Sequence, residues 1–299
     1  MKHKSVLLDE VINYLNISSS GKYVDCTLGY GGHSSKVLER LDDGFLYSFD
    51  QDSQAIEFSS KRLSEVGKNF KIIKSNFKDI KSYIDFKVDG IMFDLGVSSP
   101  QLDDEERGFS FHKDAKLDMR MDRDNPFSAW NVVNEYSYEK LCDIFYRYGE
   151  EKYSKSIARA IVDNRPIETT LELAEIIKSS VPMKYRNEKH PARKVFQAIR
   201  IEVNDELGIL EGSLRDAFDL LKVGGRLCVI SFHSLEDKIV AKVFKELTSD
   251  DKLAGGMPIV PDDLKARAKN IAKIVPSEEE LDINNRSRSA KLRVIERVR

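Results

Sequence analysis

The sequence predicts an α/β protein whose parallel sheet is interrupted by a mostly helical insertion. Two observations support this fold class. Through about the first hundred residues, short apolar runs rich in β-forming side chains alternate with amphipathic stretches, which is the pattern of βαβ units. After about residue 103 the alternation gives way to helical periodicity, until a buried-strand pattern returns at residues 225–232. One α/β domain with an inserted domain of about one hundred residues or slightly less accounts for both observations.

The individual elements follow from the same patterns. Strands are predicted at YVDCTL (23–28), LYSFD (46–50), KIIKSNF (71–77), GIMFDLGV (90–97), GRLCVISF (225–232) and KLRVIERVR (291–299). Amphipathic helices are predicted between the first strands, at 33–41 and 53–63. A last long helix is predicted to begin at Ser234, with Ser234 and Asp237 as its capping pair.

The segment between the two α/β parts is predicted to be a separate domain. Residues 103–135 are polar and irregular, and they are too long for an ordinary connection, so they are either functional or the edge of an insertion. One face of the next predicted helix carries Leu141, Ile144, Phe145 and Tyr148. The predicted boundaries are 1–104 for the first part of the core, 105–198 for the helical insertion, which is expected to recognise RNA, and 199–299 for the second part with a basic final strand.

Composition indicates a soluble globular protein, because 41% of the 299 residues are hydrophobic and 33% are charged. The amino-terminal residues include acids where a signal peptide needs an apolar core, and no apolar run approaches the ~20 residues of a membrane span. A cytoplasmic protein with no membrane partner is therefore expected. The net charge of -2 gives no overall attraction to nucleic acid. The separated cysteines, Cys26, Cys142 and Cys228, are predicted to be small buried side chains.

A glycine-rich loop, DCTLGYGGHS at residues 25–34, raises the question of its ligand. A nucleotide triphosphate loop needs a lysine after its last glycine, and none follows Gly32. A dinucleotide loop needs G-x-G-x-x-G, but Ser34 stands where the third glycine should be. A metal site is disfavoured because His33 has no histidine partner at helical spacing, and no metal is expected.

Acids and an aromatic side chain follow four successive predicted strands, namely Asp25, Asp50, Phe77 and Asp94. Open α/β sheets bind ligands at the carboxyl ends of their strands. At that edge an acid could bind an ammonium group, Asp50 could accept hydrogen bonds from the hydroxyls of a ribose, and Phe77 could stack on the face of an adenine. The alternative is that Phe77 belongs to the core and that the acids cap helices. The recurrence over four strands favours a pocket, and S-adenosylmethionine carries the groups that these residues suit.

At this point the sequence resembles a known family, the bacterial ribosomal RNA small-subunit methyltransferase H family. The similarity is carried by HKSVLLDEV, DCTLGYGGHS, DGIMFDLGVSSPQLDDEERGFSF, LDMRMD, YGEEKYSKSIARAIV, HPARKVFQAIRIEVNDEL, GGRLCVISFHSLED and NNRSRSAKLR. The resemblance implies a Rossmann-like S-adenosylmethionine-dependent methyltransferase sheet. It also implies N4-methylation of a cytidine in the decoding region of 16S rRNA. The expected partner is 16S rRNA within the small ribosomal subunit or its precursor, and a homodimer is left open.

By position, the resemblance implies that the cofactor contacts are Gly31, Gly32, His33, Asp50, Phe77, Asp94 and Gln101. Asp25 is added because it ends the first strand. Many amino-methyltransferases end the fourth strand with Asp/Asn/Ser-Pro-Pro-aromatic, whereas this chain has DLGVSSP. The group that orients the acceptor amine is therefore open between Asp94, Ser98, Ser99 and a backbone carbonyl of that loop.

Basic residues in two regions are predicted to bind RNA. Arg107 and Arg120 lie near Phe109 and Phe111, a mixture suited to phosphate contact and base stacking, and the alternative is a loop that is salt-bridged to itself. The carboxyl-terminal residues Arg286, Arg288, Lys291 and Arg293 could meet phosphate or line a solvated strand. His233 could be a proton acceptor or a turn residue.

The sequence is also compatible with rival functions. A methyltransferase could act on DNA or on a protein side chain instead of rRNA. The fold could also serve a non-catalytic RNA-binding assembly factor. A dehydrogenase is opposed by the missing third glycine of the loop.

Overall fold

The structure, a computed structural model, describes residues 5–188, 190–255, 257 and 259–299. The chain divides into two compact units, which are Met1–Gly96 with Leu207–Arg299, and Val97–Glu206. The second unit extends beyond the predicted 105–198 at both ends. Val97 and Leu102 pack against the core of this second unit, and so does Val203 near its other end.

The strands are β1 (Lys22–Asp25), β2 (Phe45–Asp50), β3 (Phe70–Lys74), β4 (Val88–Asp94), β5 (Leu221–Ser231), β6 (Ala268–Ile274) and β7 (Lys291–Arg297). The helices are α1 (Leu8–Leu15), α2 (Gly32–Leu38), α3 (Ser53–Ser64), α4 (Ile80–Tyr83), α5 (Ser99–Asp103), α6 (Ala129–Glu135), α7 (Tyr138–Arg147), α8 (Ser154–Asp163), α9 (Thr170–Ser179), α10 (Met183–Glu188), α11 (Ala192–Asn204), α12 (Leu210–Leu220), α13 (Ser234–Leu247) and α14 (Glu278–Ile283). Short 3-10 helices lie at Phe77–Asp79, Glu105–Arg107, Lys252–Ala254, Asp262–Leu264 and Asn285–Ser289. Within the described ranges, none of the helices is both long enough and apolar enough to cross a membrane.

The first unit is built on a sheet with the strand order β3-β2-β1-β4-β5-β7-β6. Strands β1 to β5 run parallel to one another, and β7 runs antiparallel between β5 and β6. The predicted Rossmann-like sheet is therefore confirmed. Because the parallel strands share one direction, the carboxyl ends of β1, β2, β4 and β5 lie along the same edge.

Alternating side chains of the central strands bury both faces of this sheet. On one face, Ile91 and Phe93 of β4 pack in a core with α12 and α13. On the other, Met92 of the same strand packs in a core with α1 and α2. Strands buried on both faces need continuous apolar runs, which is why the sequence pattern identified them.

The second unit is a helical domain with its own hydrophobic core. Buried side chains of α6, α7, α8, α9 and α11 meet in that core. On α7 the predicted face is apolar and buried at Leu141, Ile144 and Phe145, and Tyr148 is half-buried at its edge. The helical character predicted for the insertion is observed.

The three cysteines differ in environment. Cys26 and Cys228 are buried in the sheet, as predicted. Cys142, on α7, is only half-buried, because it lies beside the buried positions of the helix rather than on them.

Neighbouring positions on α7 test how this unit is stabilised. Phe145 is fully buried, whereas 69% of the Tyr146 side chain is exposed. Phe145→Ala should lower the free energy of unfolding by about 3–5 kcal/mol, because it leaves a cavity in the core. The matched change Tyr146→Ala should alter it by less than about 0.5 kcal/mol. Urea denaturation of both variants measures the difference, and equal effects would contradict the assigned packing of α7.

Candidate functional site

The candidate site lies at the carboxyl edge of the parallel strands. Asp25 ends β1, Asp50 ends β2 and Asp94 ends β4, and these strands are direct neighbours in the sheet. Burial raises the pKa of both Asp50 and Asp94, and the negative charge of Asp25 adds to the rise. In the described part of the chain, no group of three or more histidine, cysteine or acidic residues is arranged to hold a metal ion. The structure therefore brings the acids that follow three predicted strands together at one edge.

Asp25 is almost entirely buried and is hydrogen-bonded to the loop that follows it. Its Oδ1 accepts from the backbone N of Thr27 at 3.0 Å, and its Oδ2 accepts from Oγ of Ser34 at 2.7 Å. The Thr27 hydroxyl in turn accepts from the backbone N of Asp94 at 2.6 Å. Burial raises the pKa of Asp25 to about 6. These contacts are those of a residue that positions the loop, and direct contact with a cofactor stays a prediction.

The glycines of the loop are required by the packing of the chain itself. Gly31 has φ 74°, a left-handed conformation that favours glycine, and it caps α2. A Cβ at Gly31 would also lie 3.2 Å from Oγ of Ser59, which donates to the Gly29 carbonyl at 2.7 Å. A Cβ at Gly32 would overlap the hydroxyl of Ser5. The loop is therefore held on one side by α3 and on the other by the segment before α1.

His33 is buried at the start of α2 and faces Asp94. Its Nε2 lies 3.1 Å from the carbonyl oxygen of Val6, and burial lowers its pKa to about 4. The imidazole is therefore neutral at pH 7, and we assign its proton to Nε2, which donates to Val6. The other ring nitrogen, Nδ1, then carries a lone pair and lies 3.6 Å from Oδ2 of Asp94.

Asp94 carries the most perturbed carboxyl group of this edge. Burial raises its pKa to about 8, with further contributions from the charges of Asp25 and Glu236. Its Oδ1 is buried and has no hydrogen-bond partner among the described residues. A buried polar atom without a partner is costly unless a ligand supplies one. Asp94 can therefore accept a hydrogen bond from an amine or an ammonium group.

Asp50 is half-buried at the end of β2. Its Oδ2 accepts from the backbone N of Gly29 at 2.7 Å, and its Oδ1 accepts from the backbone N of Asp52 at 2.9 Å. Burial is the main cause that raises its pKa to about 6. Because a carboxylate offers about four acceptor sites, Asp50 retains capacity for the hydroxyls of a ribose.

Phe77 lies in the 3-10 helix after β3. Its ring packs edge-to-face on Phe93, with 5.4 Å between ring centres, and it is partly buried against the core below. The remaining ring surface is open to a ligand. Both interpretations of Phe77, core residue and cover for an adenine, are compatible with this position.

Ser98, Ser99 and Gln101 belong to the second unit, at the start of α5. Ser98 and Gln101 form a capping box. The Ser98 backbone N donates to Oε1 of Gln101 at 3.0 Å, and the Gln101 backbone N donates to Oγ of Ser98 at 3.4 Å. Gln101 is buried, so its side chain has a structural role in the helix. The cofactor and catalytic roles expected of these residues stay predictions.

The two arginines predicted to bind RNA at the entry to the insertion make contacts within the second unit. Arg107 is buried, and its Nη2 donates to the carbonyl oxygens of Arg120 and Met121 at 2.8 and 3.2 Å. Arg120 forms a two-pronged ion pair with Asp118, at 2.8 and 2.9 Å. These contacts favour the alternative of a loop that is salt-bridged to itself.

The basic residues near the carboxyl terminus divide into two pairs. Lys291 and Arg293 both form ion pairs with Asp237, at 3.0 and 2.7 Å. Arg286 and Arg288 are exposed in the last 3-10 helix. The second pair is more exposed than the first, whose charges are already paired with Asp237.

The sequence pattern does not identify His233 and Glu236 as a capping pair. The predicted capping pair Ser234 and Asp237 is wrong, since the capping box of α13 is formed one residue earlier by His233 and Glu236. Glu236 is buried, and its Oε2 accepts from the backbone N of Phe232 at 2.7 Å. The carboxyl end of β5 lies on the same edge as Asp94, so the rule that identified the other acids could also have identified Glu236.

Replacing Asp94 should change the pH dependence of stability. Its pKa is about 8 in the folded protein against an ordinary value of 3.8, so its proton favours folding at low pH. That contribution is lost as the pH rises from about 4 to about 8. The side-chain amide of the Asp94→Asn variant does not titrate, so this variant lacks the pH-dependent contribution of the Asp94 carboxyl group. Its free energy of unfolding, measured in urea without cofactor, should therefore fall less than that of the wild type between about pH 5 and pH 9.

The control for this experiment is Asp85→Asn, at an exposed position of the same unit. We expect its pH profile to follow the wild type. Parallel profiles for Asp94→Asn and the wild type would contradict the buried position of Asp94.

Several solved structures align with the chain over nearly its whole length. The alignment with a provisionally assigned rRNA methylase from Clostridium thermocellum covers 99% of this chain and 100% of the other, at 14% sequence identity and a TM-score of 0.48. The corresponding values for an rRNA methylase from Streptococcus thermophilus are 97% and 93%, at 14% identity and 0.44. The alignment with a provisionally assigned methyltransferase from Streptococcus mutans, solved in complex with SAH, covers 99% of both chains at 14% sequence identity and a TM-score of 0.48.

Family membership rests on the sequence itself. Residues 1–298 match the MraW methylase family. The match includes the glycine loop, the acids at the strand ends and the whole second unit. The chain belongs to this family, the same group of S-adenosylmethionine-dependent ribosomal RNA small-subunit methyltransferases that its sequence motifs resemble.

Proposed function

We propose that this protein transfers a methyl group to N4 of a cytidine in the decoding region of 16S rRNA. The substrate is the rRNA within the small ribosomal subunit or its precursor, in the cytoplasm. The observation that carries this proposal is Oδ1 of Asp94, a buried carboxyl oxygen without a partner among the described residues, at the end of the fourth strand. Membership of the methylase family supports it.

The edge of the first unit fits S-adenosylmethionine. We propose that Gly31, Gly32 and His33 contact its methionine end, that Asp50 accepts hydrogen bonds from its ribose, and that Phe77 covers its adenine. Gln101 is included by resemblance. The three acids suit a positively charged ligand, because a cation lowers the free energy of ionising buried carboxyl groups. When bound, S-adenosylmethionine supplies an electrophilic methyl group on a sulfonium.

Asp94 is proposed to orient the acceptor amine. The lone pair of cytosine N4 is delocalised into the ring, so the amine is a poor nucleophile until that lone pair is localised. Oδ1 of Asp94 can accept a hydrogen bond from N4–H, which holds the amine and draws the lone pair toward nitrogen. Fixing both reactants at near-attack distance supplies much of the remaining acceleration.

Ser98 and Ser99 are proposed as further amine-orienting groups, because they follow Asp94 by four and five residues in the chain. The Ser98 oxygen accepts one hydrogen bond from the Gln101 backbone, and its second lone pair can accept another from the N4 amine. A base stacked in a helix cannot present N4 in line with a sulfonium, so the target cytidine must be unpaired or turned out. The exposed residues Arg286 and Arg288 are proposed to contact RNA phosphates.

The test of this function is a methyl-transfer assay with labelled S-adenosylmethionine. Naked 16S rRNA, assembled small subunits and DNA are compared as acceptors, and the modified nucleoside is identified and mapped by mass spectrometry. We expect N4-methylcytidine at one position of the rRNA. Label in DNA or protein would identify a different methyltransferase, and no label despite tight RNA binding would indicate an assembly factor.

The role of Asp94 is tested by Asp94→Ala. Loss of the acceptor oxygen should lower kcat by about a hundredfold or more. The matched control Asp85→Ala removes an exposed aspartate of the same unit and should leave kcat unchanged. Calorimetry with S-adenosylmethionine separates binding from turnover. If Asp94→Ala kept both near the wild-type values, the assignment of Asp94 would be refuted.

A further inference from the structure

Three exposed basic side chains lie at the start of helix α8 and along one of its faces, in the second unit. Lys155 and Arg159 are four residues apart on the helix and share a face, and Lys152 lies in the turn just before Ser154, the first residue of the helix. All three are exposed, whereas Ile157 and Ile161 on the opposite side are buried in the core. We call Lys152, Lys155 and Arg159 the α8 basic face.

The α8 basic face forms no close ion pairs in the described part of the chain, although the nearby carboxylate of Glu139 interacts electrostatically with Arg159. In residues 5–188, 190–255, 257 and 259–299, none of the three forms an ion pair with a carboxylate within 4.0 Å. Arg120 and Arg293, selected from the sequence, are by contrast paired with Asp118 and Asp237. A cation already paired with a carboxylate gains little from a phosphate. The α8 basic face therefore has the stronger capacity to bind a polyanion.

Tyrosine rings are interleaved with these charges. The Nζ of Lys152 lies 5.1 Å from the ring centre of Tyr153 and 4.6 Å from that of Tyr185. The guanidinium carbon of Arg159 lies 4.5 Å from the ring centre of Tyr138. The three tyrosines are half-buried, so each ring also has exposed surface. Alternating cations and aromatic rings are typical of surfaces that bind single-stranded nucleic acid.

Tyr153 and Tyr185 are held in place by their mutual packing and by a buried hydrogen bond. The rings of Tyr153 and Tyr185 pack together with 4.8 Å between their centres. The Tyr185 hydroxyl donates to Oε2 of Glu151 at 2.7 Å, and Glu151 is fully buried. Rings fixed in this way lose little conformational entropy when a base stacks on them.

We propose that the α8 basic face, with Tyr138, Tyr153 and Tyr185, binds a single-stranded segment of the RNA substrate. The cations contact phosphates and the tyrosines stack on bases. Folded duplex RNA would use the cations but not the rings, because its bases are stacked on each other. This inference rests on the proposed function, since it names the surface by which the same substrate is held.

The test compares two triple variants with the wild type. Lys152→Ala, Lys155→Ala and Arg159→Ala together remove the α8 basic face. The control removes three exposed lysines of the first unit, Lys68, Lys71 and Lys245, none of which forms an ion pair in the described part of the chain. Both variants lose the same net charge. Calorimetry with S-adenosylmethionine verifies that each variant retains a folded first unit, and circular dichroism verifies the helical unit.

The probe is a fluorescent oligouridylate of about 20 nucleotides, titrated at salt concentrations from about 50 to 200 mM. For the α8 variant, the slope of log affinity against log salt should become shallower by about 2, because three phosphate contacts are lost at roughly 0.7 each. The control should keep the wild-type slope. Tyr153→Leu should weaken binding roughly tenfold with little change in slope, because stacking is not ionic.

The outcomes separate this inference from the proposed function. If the wild type methylates rRNA and the α8 variant keeps its RNA affinity and salt slope, the inference is overturned and the function stands. If the α8 variant loses slope but the wild type modifies no rRNA, the surface is supported and the function is overturned. Equal weakening by the control variant, or undiminished binding by Tyr153→Leu, would also overturn the inference.

Discussion

The buried carboxylate of Asp25 is the interaction on which the rest of the candidate site depends. It fixes Thr27 and Ser34, and through the Thr27 hydroxyl it also holds the backbone at Asp94. A single side chain thus joins the end of β1, the start of α2 and the end of β4. Because Asp25 is fully enclosed, breaking one of these hydrogen bonds leaves a buried polar group unsatisfied, which costs more than the bond contributes. The loop is therefore held by polar contacts in addition to the apolar packing of Cys26 and Leu28.

The same arrangement stores unfavourable electrostatic energy at the strand ends. Asp25, Asp50 and Asp94 each have a raised pKa, so the site without a ligand favours their protonated forms. A positively charged ligand reverses this preference, and binding to the protonated site releases protons. The protein accepts lower stability near neutral pH at this edge, and the core on both faces of the sheet compensates for it. Burial alone thus makes this edge more favourable for a cation than for an anion, without a preformed ion pair.

The fold and the strand-end acids could be predicted from the sequence because both follow from periodicity. Buried parallel strands are continuous apolar runs, and their carboxyl ends must lie on one edge. The ion pairs and hydrogen bonds of basic side chains could not be predicted from periodicity. The sequence predicts that Arg107 and Arg120 are available to bind RNA. In the structure Arg107 is buried, and Arg120 forms an ion pair with Asp118. Lys155 and Arg159 lie within a helical pattern that does not distinguish them, although both are exposed and neither forms a close ion pair in the described part of the chain. Charge is visible in a sequence, but its neutralisation depends on contacts that only the folded chain provides.

The segment before α1 closes one side of the glycine loop. The Ser5 hydroxyl occupies the space beside Gly32 that a side chain would fill, and the Val6 carbonyl holds the ring of His33. Residues that precede the first helix are thus part of the wall of the site, far in sequence from the other strand ends. Ser5 and Val6 therefore join the glycine loop to a part of the chain that the strand-end pattern does not reach, so a change in the segment before α1 would alter the loop without touching any strand.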